Sequence, residues 1–139
     1  MSKDIRALAI RWMEDNWNER REAVIDELMH PDCFGRIEGG GELKGREEWR
    51  QAREQLLTAF PDLSLRVDRS VVEGDTVVLL WTAKGTHRGD AMGLPPTGRT
   101  FEAVGSTWMK FEGGKMVWGY DTWNMGAMMA TLAPEWTPP

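Results

Sequence analysis

Phe60-Pro61-Asp62-Leu63-Ser64-Leu65-Arg66-Val67-Asp68 is the stretch at which the chain changes period. Upstream, apolar residues recur every three or four positions. From Leu63 they alternate, Leu63, Leu65 and Val67 against Ser64, Arg66 and Asp68, which is the two-residue period of a half-buried strand. Pro61 lacks a backbone N–H and cannot continue a helix, so it marks the boundary. Immediately upstream, a helix from Arg46 carries Trp49, Ala52, Leu56 and Phe60 on one stripe. Downstream, Glu73-Gly74-Asp75 turns the first strand into a second, Thr76–Thr86. A Gly- and Pro-rich loop from His87 to Gly98 leads to a strand over Arg99–Phe111, and Glu112-Gly113-Gly114 turns that into a last strand, Lys115–Trp123.

Nearer the N-terminus, Ile5, Leu8, Ala9, Trp12 and Met13 fall at helical spacing, with Ser2 as N-cap and Asp4 in the first turn. Asn18 is expected to cap a second helix carrying Val24, Ile25, Leu28 and Met29, which Pro31 stops. That places His30 at a helix C-terminus, serving the last carbonyls, outside any site. Cys33 to Lys44, with Gly39-Gly40-Gly41, is expected to be a short extended piece and a loop; no Gly-Lys-Ser/Thr follows to make a phosphate cradle. Met125–Leu132 is expected to form a short final helical turn, and 133–139, with three prolines, a tail. Three helices followed by an antiparallel meander of at least four strands define an α+β class, with helices laid over one face of a curved sheet and a conical pocket between.

Composition narrows the function. At 139 residues the chain suits one domain, 1–139. A formal charge of -5 argues against nucleic acid or an anionic membrane surface as partner. The N-terminal residues run into an amphipathic segment rather than a signal peptide, and no apolar run is long enough for a membrane span, so a cytoplasmic location is expected. One cysteine, Cys33, and two separated histidines make no metal cluster, and no metal is expected. Cys33 has no evident base and fits a small buried residue. Eight Trp and nine Met are a large supply of bulky, polarisable apolar surface for so small a domain, available to a pocket, to the core or to a subunit interface.

In the last strand, Val117, Gly119, Asp121 and Trp123 share one face and Met116, Trp118, Tyr120 and Thr122 the other, unless a bulge exchanges them. Asp121 thus lies among aromatics. A carboxylate on a dry face has a raised pKa and suits acid–base chemistry; on a solvated rim it is an ordinary surface acid. Trp49, Phe60, Trp81, Phe101, Trp108 and Trp123 are candidates to stack on a flat ligand, with Met92 in a lip over the pocket. Ser106, Asn124 or an indole N–H is a candidate to steady negative charge on oxygen. His87, at the end of a strand, either orients Asp121 or holds the following loop in shape.

Phe60-Pro61-Asp62-Leu63, Glu73-Gly74-Asp75, Gly85-Thr86-His87-Arg88-Gly89, Pro95-Pro96-Thr97-Gly98-Arg99 and Gly114-Lys115, together with Trp17-Asn18 and Pro31-Asp32, fall in an order and spacing that resembles the SnoaL-like polyketide cyclases of the NTF2-like superfamily. The resemblance spans nearly the whole chain. It implies a conical α+β barrel, a homodimer or homotetramer, a hydrophobic pocket and no cofactor. It further implies cyclisation of an aromatic polyketide ester by intramolecular aldol condensation, with the acid–base role on Asp121 by motif position. The chain also departs from the family pattern. Where members often carry Glu-His-Trp-Asp, this sequence has Trp118-Gly119-Tyr120-Asp121; Asn124 stands for a frequent aspartate, and Arg36 falls near a common histidine. His87 is then the one imidazole available to the pocket. A cofactor-free hydroxylase or hydrolase, or a non-catalytic binder of small hydrophobic molecules, would use the same pocket, and Asp121→Asn separates these classes.

Overall fold

The computed structural model describes residues 4–38, 41–90 and 93–133. Its elements are α1 (Ile5–Trp17), α2 (Ala23–Leu28), β1 (Met29–Ile37), β2 (Gly41–Lys44), α3 (Gly45–Ala59), β3 (Ser64–Glu73), β4 (Thr76–Thr86), β5 (Thr100–Glu112), β6 (Lys115–Trp123) and α4 (Met125–Leu132). The strands form one six-stranded sheet in the order β2-β1-β6-β5-β4-β3. From β3 to β6 the pairing is the antiparallel meander that the alternating pattern predicts, with the turns at the expected glycines. The α+β class therefore holds.

The N-terminal third differs from the expectation. The second helix ends at Leu28, and Met29–Ile37 is a strand lying antiparallel to β2 and parallel to β6, so the sheet is mixed. Pro31 stands inside that strand, where the register shifts between Met29 and Phe34, and its missing donor is tolerated at such an irregularity. His30 is accordingly a strand residue whose Nδ1 accepts the Asp32 N–H at 3.0 Å, not a helix-terminal one. Asn18 caps no second helix. Its side-chain amide bridges the N–H and C=O of Leu65, each at 2.8 Å, and so covers part of the open edge of β3. Asp4, rather than a first-turn acid, is the N-cap of α1, accepting the Ala7 N–H. Ser2, Gly39-Gly40 and the segment 134–139 lie outside the described residues.

Helices cover one face of the sheet. Trp12, Met13 and Trp17 of α1 and Trp49 of α3 are buried in one core cluster with Val77, Leu79 and Trp81 of β4 and Met109 and Phe111 of β5. The Trp49 ring sits 5.6 Å from Trp12 and 6.1 Å from Trp17, so three indoles form the roof. Charged residues bind the helices to each other from outside: Arg11 and Arg21 both reach Glu27, and Arg50 reaches Glu22, Asp26 and Glu47. The opposite face of the sheet carries exposed Val71, Leu80, Val104 and Trp108. Among the described residues no helix is long and apolar enough to cross a membrane.

Candidate functional site

Beneath the indole roof lie two cavities, and Asp121 and Trp49 form part of the wall of both. The larger, ≈ 60 Å³, is walled by Trp17, Trp49, Leu56, Trp81, Phe101, Trp123 and Met128 among others, and among the described residues Asp121 is its single ionisable wall residue. The smaller, ≈ 30 Å³, runs toward β1 past Gly35, Gly119 and Tyr120 to Arg36.

A β-bulge decides which β6 side chains face these cavities. Phe111 pairs with Met116 but Lys110 with Trp118, so Val117 is the extra residue. Met116 therefore joins Gly119, Asp121 and Trp123 on the inner face, while Trp118 and Tyr120 stack on each other with ring centroids 6.3 Å apart. Asp121 sits across from Ile37 of β1 and Thr107 of β5.

Burial is the dominant influence on Asp121: it pushes the carboxyl up to about 6 against a smaller, opposing hydrogen bond from Thr107. That bond, from Thr107 Oγ1 to Asp121 Oδ1, spans 2.5 Å, and Thr107 Oγ1 in turn accepts the Trp81 indole N–H at 2.9 Å. Among the described residues Oδ2 has no hydrogen-bond partner, and it is not sealed from the cavity. Two indole N–H groups of wall residues, those of Trp49 and Trp123, are buried with no acceptor among the described residues.

The structure brings Asp121, Trp49, Trp81, Phe101 and Trp123 together in the larger cavity. It separates the others from them. His87 is fully buried but lines neither cavity; its ring lies 5.7 Å from Phe60, and its Nδ1 accepts the Thr97 N–H at 3.3 Å and meets the Thr97 hydroxyl at 3.1 Å. With its backbone N–H on Arg99 O and its C=O accepting from Gly98, this histidine shapes the loop, and the expectation that it orients Asp121 is corrected. Phe60 is buried beneath Phe101 at 4.7 Å and is core. Strand alternation sends Ser106 and Trp108 to the outer face: Ser106 Oγ pairs with Thr122 Oγ1 at 2.8 Å, and Trp108 is 44% exposed. Asn124 is the N-cap of α4, accepting the Ala127 N–H at 2.9 Å. Met92 lies outside the described residues. Burial pushes the Cys33 thiol up to about 11, as befits an inert packing residue.

Sequence reasoning missed Thr107. The signal was available: along β5 the inward positions run Phe101, Ala103, Gly105, Thr107, Met109 and Phe111, and Thr107 is the one that carries a hydroxyl.

A curved six-stranded sheet roofed by helices is the NTF2-like class of fold. The model of the SnoaL-like polyketide cyclase family matches residues 7–132, and the chain belongs to that family. A SnoaL-like polyketide cyclase candidate from Jannaschia sp. CCS1 superposes with a TM-score of 0.88 at 22% identity, covering 100% of this chain and 99% of that one, a likeness of fold. AclR from Streptomyces galilaeus, a candidate hydroxylase, has a TM-score of 0.82 and 30% identity over 96% of this chain and 83% of its own. IdmH from Streptomyces antibioticus, a candidate polyketide cyclase, has a TM-score of 0.81 and 27% identity over 94% and 99%. Comparison with curated proteins gives no match.

Proposed function

We propose that this protein is a cofactor-free acid–base catalyst that closes a ring in a flat, hydrophobic, polyketide-like substrate by intramolecular aldol condensation. One observation carries this: the single ionisable group in the wall of the larger, apolar cavity is a carboxyl poised at about 6, with one oxygen unengaged. As a carboxylate, Asp121 takes a proton from a carbon between two carbonyls, and the bonding pair passes into the enolate. The enolate carbon attacks a second carbonyl carbon, whose π electrons become an alkoxide. That alkoxide recovers the proton from Asp121, so the product is an isomer of the substrate. A group titrating near the working pH can serve in both directions. The indole N–H groups of Trp49 and Trp123, buried and without acceptors among the described residues, would have to turn toward the cavity to serve as donors for the enolate and alkoxide oxygens. Trp81 and Phe101, with the same two indoles, supply faces for the rings.

The test is Asp121→Asn assayed on a tricyclic aromatic β-keto ester. Turnover should fall by ~10² or more, the usual worth of general acid–base help, while binding of the flat ligand stays within about twofold. Equal activity in the variant removes Asp121 from the reaction. Liquid chromatography with mass spectrometry separates the readings: cyclisation gives a new peak of unchanged mass, hydroxylation a peak heavier by one oxygen atom, and a binder returns the compound at its original retention time. The cytoplasm and a homodimer or homotetramer complete the proposal; a second copy would cover the exposed outer-face residues Leu80, Val104 and Trp108.

A further inference from the structure

Asp121 has two carboxyl oxygens, and the fold treats them differently. Thr107 stands directly across from it on β5, and Trp81 directly across from Gly105 on β4, which brings the indole N–H onto the Thr107 hydroxyl. Gly105 is what allows this: a Cβ there would lie 2.5 Å from the Trp81 ring and 2.3 Å from the Thr122 carbonyl oxygen, so any side chain would displace the indole. An indole nitrogen only donates. Thr107 Oγ1 must therefore accept from Trp81, and its own hydrogen has one acceptor among the described residues, Oδ1 of Asp121. The hydroxyl cannot turn round to accept a proton from that oxygen without stranding its hydrogen in a buried place.

We propose that Thr107, held by the Trp81 N–H, is a positioning residue that engages Oδ1 of Asp121 and leaves Oδ2 as the one oxygen that exchanges a proton with the substrate. This rests on the acid–base reading of Asp121 and adds to it. Deprotonation and reprotonation pass through a single point in the cavity wall, so the carbon acid and the alkoxide must be presented to that point in turn. The hydrogen bond also favours the carboxylate, offsetting part of what burial does, and keeps the group from becoming a permanently protonated acid.

Few other groups can affect this titration. The titratable or charged residues that share a cavity wall with Asp121 are Cys33 and Arg36 of β1 and Tyr120 of β6. The parts of α1, α3, α4, β3, β4 and β5 that line either cavity contribute none.

The experiment is a carbon-detected NMR titration of the Asp121 carboxyl in the free protein, in wild type, Thr107→Val, Thr107→Ser and Trp81→Phe. It needs no substrate, so its outcome is independent of whether Asp121→Asn retains turnover. Thr107→Val keeps the shape and loses the hydroxyl; its midpoint should rise by about one pH unit, tenfold in the ionisation constant. Thr107→Ser should return the midpoint to the wild-type value. Trp81→Phe removes the N–H that orients and polarises the hydroxyl, and should raise the midpoint by less, roughly twofold in the constant. On a β-keto ester, the acid limb of the kcat/KM profile should move with the midpoint, with KM nearly unchanged. A Thr107→Val midpoint equal to wild type overturns the proposal. If that variant does not fold, an unchanged midpoint in Trp81→Phe overturns it instead.

Discussion

At Asp121, the proposed function and stability pull in opposite directions, and the sign can be worked out. The folded-state value of about 6 lies above the ordinary 3.8. Between those values the folded protein binds more protons than the unfolded chain. The contribution to stability is thus fully present below about pH 4 and is lost as pH rises through about 6. Two units of difference correspond to about 3 kcal/mol. Asp121→Asn, neutral at every pH, should therefore be more stable than wild type at pH 7 by up to about 3 kcal/mol and nearly equal to it at pH 4; urea midpoints at the two pH values check this. Asp121 was legible in the sequence because an acid flanked by Trp118, Tyr120 and Trp123 is conspicuous on a strand. Thr107 was not, because threonine is an ordinary strand residue. Its pairing with Asp121 depends on the turn after Glu112 and on the bulge at Val117, which together set the register.

Among the elements, the β3–β6 meander could be read directly, since alternation and turn glycines are local signals. The strand β1 could not. It holds Pro31, Gly35 and a register shift, and its partner β6 lies in a distant part of the chain. Its glycine has a particular task. A Cβ on Gly35 would sit 2.0 Å from the Gly119 carbonyl oxygen, a backbone atom that cannot yield without parting the two strands. Across the pair, a Cβ on Gly119 would meet Met116 Sδ at 3.5 Å, an ordinary contact. Gly35→Ala should cost roughly 2 kcal/mol or more, in the range of overpacked cores, and Gly119→Ala less than about 1 kcal/mol. Denaturant unfolding of the two variants would show this asymmetry, and equal losses would contradict it. A bulge in this strand was an open alternative in the sequence, and its position at Val117 was not legible for a related reason: a one-residue slip changes which side chains face inward but leaves the alternating composition intact.

For the molecule as a whole, the carboxylates set a stability curve that declines on both sides. Hydrogen bonds from Arg21 and Arg11 hold Glu27 down to about 2, and Thr86 and Thr82 hold Asp62 and Asp68 below the ordinary carboxylate range. Their contributions are present above the ordinary values and lost as pH falls through the depressed ones. Asp121 acts in the opposite sense. Maximum stability should accordingly lie below neutrality, at roughly pH 4.5–5.5. Thermal unfolding across pH 3 to 8 tests it, and a maximum at or above pH 7 would show that Asp121 does not dominate the upper limb. The overall architecture was legible from the change of period at Pro61. The mixed sheet was not, since nothing local to Met29–Ile37 announces a parallel neighbour.

That parallel pairing also orders events in time. The strand β1 lies between β2 and β6, and a bond such as Lys115 Nζ to the Glu27 carbonyl oxygen closes a separation of 88 residues. Closing so long a loop is entropically late, whereas the β3–β4 and β5–β6 hairpins need only their own turns. As the chain leaves the ribosome, the N-terminal third must wait, with its indoles uncovered, until the last strand emerges. The strand that completes the sheet is also the one that carries Asp121, so the cavity wall and the folded state arrive together.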